Sequence, residues 1–82
     1  MNKNDDLITL FKQVATEVDK REFREVTGDS VISDLGIDSL SMMQIVGEME
    51  TRLDIMIPDE DLVELITVSD LVKVVEKRLR GS

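Results

Sequence analysis

Apolar residues at Leu7, Ile8, Leu10, Phe11, Val14, Ala15 and Val18 recur at the spacing of one helical face. Asn4 or Asp5 can cap the start of this helix, and acids there suit the positive end of its dipole. The spacing predicts a first helix over about residues 5–19. The pattern then lapses. Gly28, Asp29, Ser30, Ser33, Asp34 and Gly36 are turn formers, so residues 20–38 read as a long loop. Phe23, Val26, Val31, Ile32 and Leu35 can pin that loop to a core, and a short helical turn fits near Ser33–Leu35.

A second helical pattern starts behind Asp38, the expected N-cap, and runs over about residues 39–53. At about 100° per residue, Met42, Ile45, Val46, Met49 and Leu53 gather on one face, which is the core face. Leu40, Met43 and Gly47 fall on another face, an apolar stripe that the core does not explain. Pro58 followed by Asp59, Glu60 and Asp61 marks the start of a short third helix over about residues 59–65, with Leu62, Leu65 and Ile66 facing inward. Thr67 caps a fourth helix, with Asp70 three residues on in a near capping box. Val68, Leu71, Val72, Val75 and Leu79 carry its apolar face, and Lys77, Arg78 and Arg80 suit its C-terminus. No alternating strand pattern competes, and there is no internal repeat or low-complexity linker. The expected fold is all-α: a four-helix bundle with three longer helices, a short third helix and a long loop between the first two. The 82 residues suit one domain.

Composition narrows the chemistry. There are no cysteines and no histidines, so disulfides, thiolate chemistry and the usual general base are all absent. No apolar run is long enough to cross a bilayer and no signal peptide is read at the start, which points to the cytoplasm. The net charge is −8, and it is unevenly spread. Residues 29–70 carry eleven acids against the single base Arg52, net −10, whereas residues 71–82 are net +3. Nucleic acid and anionic membranes are therefore unexpected partners. Two phenylalanines and no other aromatic residue leave no platform for stacking bases. Basic protein surfaces fit this charge, and so does an acidic face that is merely solvated.

Ser39 sits between Asp38 and Leu40, where the second helix begins. As a nucleophile it needs a base and a group to orient that base. No histidine exists, and Lys3, Lys12, Lys20, Lys73 and Lys77 all lie in charged or solvent-facing contexts. The stretch GIDSL also lacks the second glycine of a G-x-S-x-G elbow. Asp34 with Asp38, or the acids from Asp59 to Asp61, could form an acid–base pair, but only in a walled pocket that a domain this small does not promise. Asp59-Glu60-Asp61 lacks the alternating ligands and central glycine of a calcium loop, so no specific metal site is expected. Taken alone, Ser39 is a helix residue close to an N-terminus, where Asp and Ser are favoured.

The order of motifs changes that reading. Asp34-Leu35-Gly36, Asp38-Ser39-Leu40, Ile57-Pro58-Asp59 and Thr67-Val68 follow one another at spacings that resemble those of the acyl carrier proteins. The resemblance covers nearly the whole chain and is densest from Ile32 to Val75. It implies that Ser39 receives 4′-phosphopantetheine from coenzyme A through a separate phosphopantetheinyl transferase, and that the arm's thiol carries acyl groups as thioesters. It implies that Asp38 lies in the surface engaged by the transferase and its magnesium ion, and that Gly36 lets the chain turn into the helix. A phosphodiester on Ser39 would meet the backbone N–H groups of a helix N-terminus, which favour anions.

The resemblance has departures. Carriers of bacterial fatty acid synthesis commonly have alanine before the Asp-Ser pair and an acid after the leucine, where Ile37 and Ser41 stand here. The second helix is also less acidic than theirs, with Glu48 and Glu50 its only acids. Peptidyl carriers usually have glycine where Ile37 stands. The expectation is a discrete, monomeric carrier of polyketide or other specialised acyl-chain biosynthesis, and not an enzyme. A housekeeping fatty acid carrier is the alternative, and an acidic helical adaptor without a prosthetic group is the rival from another class. Acyltransferases and ketosynthases with basic docking surfaces are the expected partners, meeting Leu40, Met43, Gly47, Glu48 and Glu50.

Overall fold

A computed structural model describes residues 3–80, and the first apolar stripe there becomes α1 (Lys3–Asp19). Asn4 and Asp5 lie inside the first turn of this helix, so neither is its cap. The second helix, α2 (Ser39–Leu53), has the bounds that its periodicity predicts. A third, α3 (Val68–Leu79), follows Thr67. α1 packs against both α2 and α3. The core is built from Phe11, Val14 and Ala15 of α1, Ile45, Val46 and Met49 of α2, and Val68, Leu71, Val72 and Val75 of α3. Met42 and Leu53, on the same face of α2, are half-buried against it. No described helix is long and apolar enough to cross a membrane.

The long loop is held by side chains and by backbone. Phe23 and Ile32 are buried, while Val26 and Leu35 pack on the core. Residues Ile32–Leu35 form the short helical turn, of 3₁₀ type. Val31 pairs with Thr67 in an isolated antiparallel bridge. Around that bridge the Ile32 N–H donates to the Ile66 carbonyl and the Val68 N–H to the Ser30 carbonyl, each at 2.9 Å. These bonds give backbone groups of the long loop partners inside the fold, as burial requires.

The expected third helix is not there. Only Asp59–Asp61 is helical, as one 3₁₀ turn after Pro58, and the chain then continues in turns to Thr67. The described residues therefore hold three α-helices, not four. Two physical reasons account for this. A seven-residue stretch is far shorter than the 12–15 residues or so that an isolated helix needs, so tertiary contacts decide its shape. Those contacts commit Ile66 elsewhere: its N–H donates to the Asp70 carboxylate at 3.0 Å and its carbonyl accepts from Ile32. Leu62 and Leu65 are half-buried as expected, but Ile66 is not inward-facing and is 62% exposed.

The start of α3 is a complete capping box. The Thr67 hydroxyl accepts from the Asp70 N–H at 3.2 Å, and the Asp70 carboxylate accepts from the Thr67 N–H at 3.0 Å. The Thr67 N–H, aided by that of Ile66, holds the Asp70 carboxyl below the usual carboxylate range. Two ion pairs join the elements. Arg52 of α2 reaches Glu17 of α1, and Arg78 of α3 reaches Asp61 at 2.8 Å.

Candidate functional site

The path into α2 is set by Gly36. Its φ of 81° lies in the left-handed region, where a side chain is strained. A β-carbon there would also come within 2.9 Å of Arg21 Nη2. That same nitrogen donates to the Leu35 carbonyl at 2.6 Å, and the guanidinium lies 4.4 Å from the Phe23 ring centroid. Arg21 therefore closes over the turn from the long loop, a role that nothing in the sequence pattern signals. Ile37 comes next and is buried. The residue that stood out as a departure from alanine is a core anchor, fixing the backbone immediately before the Asp38–Ser39 pair.

Asp38 is the N-cap of α2, with Oδ1 accepting from the Ser41 N–H at 2.8 Å. This hydrogen bond holds the Asp38 carboxyl below the ordinary carboxylate range, against an opposing effect of desolvation. Ser39 is the first residue of α2 and is exposed. Among the described residues its hydroxyl has no hydrogen-bond partner.

An open cleft of about 380 Å³ begins at Ser39. Met42 and Met43 of α2 line it together with Ile32, Ile37, Leu62 and Ile66. The pattern reading did not foresee it; exposed Val63 also lines it, and so does Ile66, which the pattern placed inward. Asp38 is the one carboxylate on its walls, and Asp34 does not line it. The acid–base pairing of these two residues therefore lacks its pocket. Among the described residues, no three acidic side chains are placed to hold a metal ion.

The remaining sequence candidates divide. Leu40 is 67% and Met43 61% exposed, both on α2 beside Ser39. Gly47 lies on the same face, and a β-carbon built there meets nothing within 4 Å. Glycine within a helix costs about 1 kcal/mol relative to alanine. Glu48 is exposed, 3.8 Å from Arg52 one turn on. Glu50 is occupied differently: its carboxylate accepts from the Ile57 N–H at 2.6 Å and ties down the segment after α2.

A family model described as "Phosphopantetheine attachment site" matches residues 6–75, most of the chain. This chain belongs to the acyl carrier proteins. The carrier is 42% identical over 74 residues to an acyl carrier protein of Rhodococcus erythropolis, covering 89% of this chain and 81% of that one. It is 39% identical over 70 residues to a stretch of a non-reducing polyketide synthase of Emericella nidulans. That match takes in 85% of the carrier but only 3% of the synthase. The crystal structure of an acyl carrier protein from Thermotoga maritima superposes with a TM-score of 0.88 at 27% identity, over 94% of this chain and 91% of that one. The group that such a carrier holds is 4′-phosphopantetheine, attached covalently. The site fits it, with an exposed hydroxyl at a helix N-terminus beside an apolar cleft. The adaptor without a prosthetic group is set aside by this match.

Proposed function

We propose that Ser39 is the attachment residue and that the carrier serves polyketide or related specialised acyl-chain biosynthesis, without catalysing a reaction itself. The observation that carries the attachment is the position of Ser39: exposed, first in α2, behind the Asp38 cap and at the mouth of the apolar cleft. When bound, the prosthetic group supplies a thiol on a flexible tether that holds acyl chains as thioesters. The chain's own residues do the rest. Gly36 and buried Ile37 aim the backbone, and Asp38 fixes the first turn. In the attachment step the Ser39 oxygen bonds to phosphorus of coenzyme A, the pyrophosphate P–O bond breaks, adenosine 3′,5′-bisphosphate leaves and the serine proton passes to the transferase. Leu40, Met43, Gly47 and Glu48 form the face that acyl-processing enzymes meet. The cleft lined by Met42, Leu62 and Ile66 gives an apolar chain shelter from water.

The pathway reading is supported by Ile37 and Ser41 in place of the commoner small residue and acid, by the few acids of α2, and by the likeness to the Emericella nidulans synthase. The second reading is a housekeeping carrier of fatty acid synthesis. Reconstituted chain extension separates them. The fully modified carrier is offered to a polyketide ketosynthase and to a fatty acid ketosynthase at equal concentrations. Faster turnover with the polyketide enzyme is expected, and faster turnover with the fatty acid enzyme would reverse the assignment.

A further inference from the structure

We propose that Arg21 is a positioning residue for the modification of Ser39: it locks the peptide plane between Leu35 and Gly36, and so holds the turn that presents the serine to its transferase. This rests on the reading of Ser39 as the attachment residue.

The end of α1 sets up Arg21. Lys20 takes a left-handed φ of 56°, which ends the helix, and Arg21 follows outside it. Its guanidinium is held from three sides. The ring of buried Phe23 lies against it, with 4.4 Å from guanidinium carbon to ring centroid. Nη2 donates to the Asp19 carboxylate at 3.4 Å and to the Leu35 carbonyl at 2.6 Å. The Asp19 side chain is only 11% exposed, so the arginine is tied to the end of α1 and not to a loose surface carboxylate. A β-carbon on Gly36 would stand 2.9 Å from the same nitrogen, so a glycine at 36 is what lets Arg21 lie this close.

The Leu35 carbonyl and the Gly36 N–H belong to one planar peptide unit. Arg21 binds its carbonyl end, and at the other end the Gly36 N–H donates to the Ser33 carbonyl at 3.1 Å. Rotating this plane changes only the ψ of Leu35 and the φ of Gly36. Glycine takes positive and negative φ about equally readily, so the residue that permits the turn also permits its peptide to flip. A flip would carry the carbonyl away from the guanidinium and break the bond to Ser33, and Arg21 opposes it. Buried Ile37 and the Asp38 cap come straight after, so a change of direction at Gly36 passes to Ser39 with no hinge between them.

Two measurements test this together: amide hydrogen exchange at Gly36 in the unmodified chain, and kcat/KM for modification with coenzyme A and a broad-specificity transferase. Arg21→Ala should lower kcat/KM about tenfold, as loss of one hydrogen bond to a charged group does, and speed Gly36 exchange by a similar factor. Helical circular dichroism should not change. Arg21→Lys keeps a charged donor without the planar fork, and should fall between Arg21→Ala and the unaltered chain in both measurements. In the double variant Arg21→Ala, Gly36→Ala, the loss in kcat/KM should be smaller than the product of the single losses, because both changes act on one peptide plane. Slower modification with unchanged Gly36 exchange would mean that Arg21 touches the transferase, and would overturn the positioning role. Faster exchange with unchanged kcat/KM would overturn it too, since the turn would not limit modification. Loss of helical circular dichroism in both Arg21 variants would make Arg21 a folding residue and refute the role. If the unaltered chain is modified at another serine, or not at all, the reading of Ser39 fails whatever Gly36 exchange reports, and the positioning role falls with it.

Discussion

Asp38 Oδ1 lies 2.8 Å from the Ser41 N–H, so the carboxylate beside Ser39 caps the helix that Ser39 begins. Its position in the chain and its role in the turn are one requirement. Asp38→Ala should therefore lower the melting temperature and slow phosphopantetheinyl transfer together, because the first turn frays around the acceptor hydroxyl. Asp38→Asn keeps a cap and should melt closer to the unaltered chain. Equal melting temperatures for Asp38→Ala and the unaltered chain would show that the cap does not hold the turn.

Acid provides a second reading of the same caps. The carboxyls of Asp38 and Asp70 are both held below the ordinary value of 3.8. Their stabilisation is therefore fully present above that value and is lost as pH falls through the lower folded-state values. The melting-temperature gap between the unaltered chain and the Asp38→Asn, Asp70→Asn double variant should stay constant from about pH 7 to about pH 4 and close below it. A gap that has closed by about pH 5 would contradict the assignment.

The two faces of α2 should respond oppositely to truncation. Met49 is fully buried, so Met49→Ala should cost about 2–5 kcal/mol in denaturant unfolding. Leu40→Ala and Met43→Ala remove exposed groups and should stay within about 0.5 kcal/mol of the unaltered chain, while slowing transfer with partner enzymes. If Met43→Ala unfolds as readily as Met49→Ala yet transfers normally, the stripe belongs to the core.

Asp54 closes α2 in the left-handed conformation, with φ of 56°. Glycine accepts that conformation without strain from a side chain. Asp54→Gly should raise stability by about 0.5–1 kcal/mol, the relief of left-handed strain less the entropy that glycine loses on folding. Unchanged or lower stability in urea titration would show that the aspartate is at ease there.

What the sequence revealed follows from where periodicity and caps agree. α2 and α3 were legible because Asp38 and Thr67 mark their starts and apolar residues recur along their lengths. The stretch from Asp59 to Ile66 offered a proline start and inward leucines, but contacts distant in sequence hold it: the Ile66 carbonyl accepts from the Ile32 N–H, and the Asp61 side chain pairs with Arg78. Periodicity has no access to such contacts. Ile37 and Ile57 are core residues in loops, where a lone isoleucine carries no period. Within the candidate site, Ser39, Asp38 and Gly36 were legible from the motif. Arg21 over the turn and Glu50 on the Ile57 N–H were not, because each depends on which way a long side chain folds back.

The attachment of 4′-phosphopantetheine to Ser39 is tested most directly by intact mass after incubation with coenzyme A and a broad-specificity transferase. The unaltered chain should gain one phosphopantetheinyl group, and Ser39→Ala should gain none while keeping its helical circular dichroism. Ser33 is the demanding control, because it lines the same cleft. An adduct that survives in folded Ser39→Ala, or that peptide mapping places on Ser30, Ser33 or Ser41, would contradict the account.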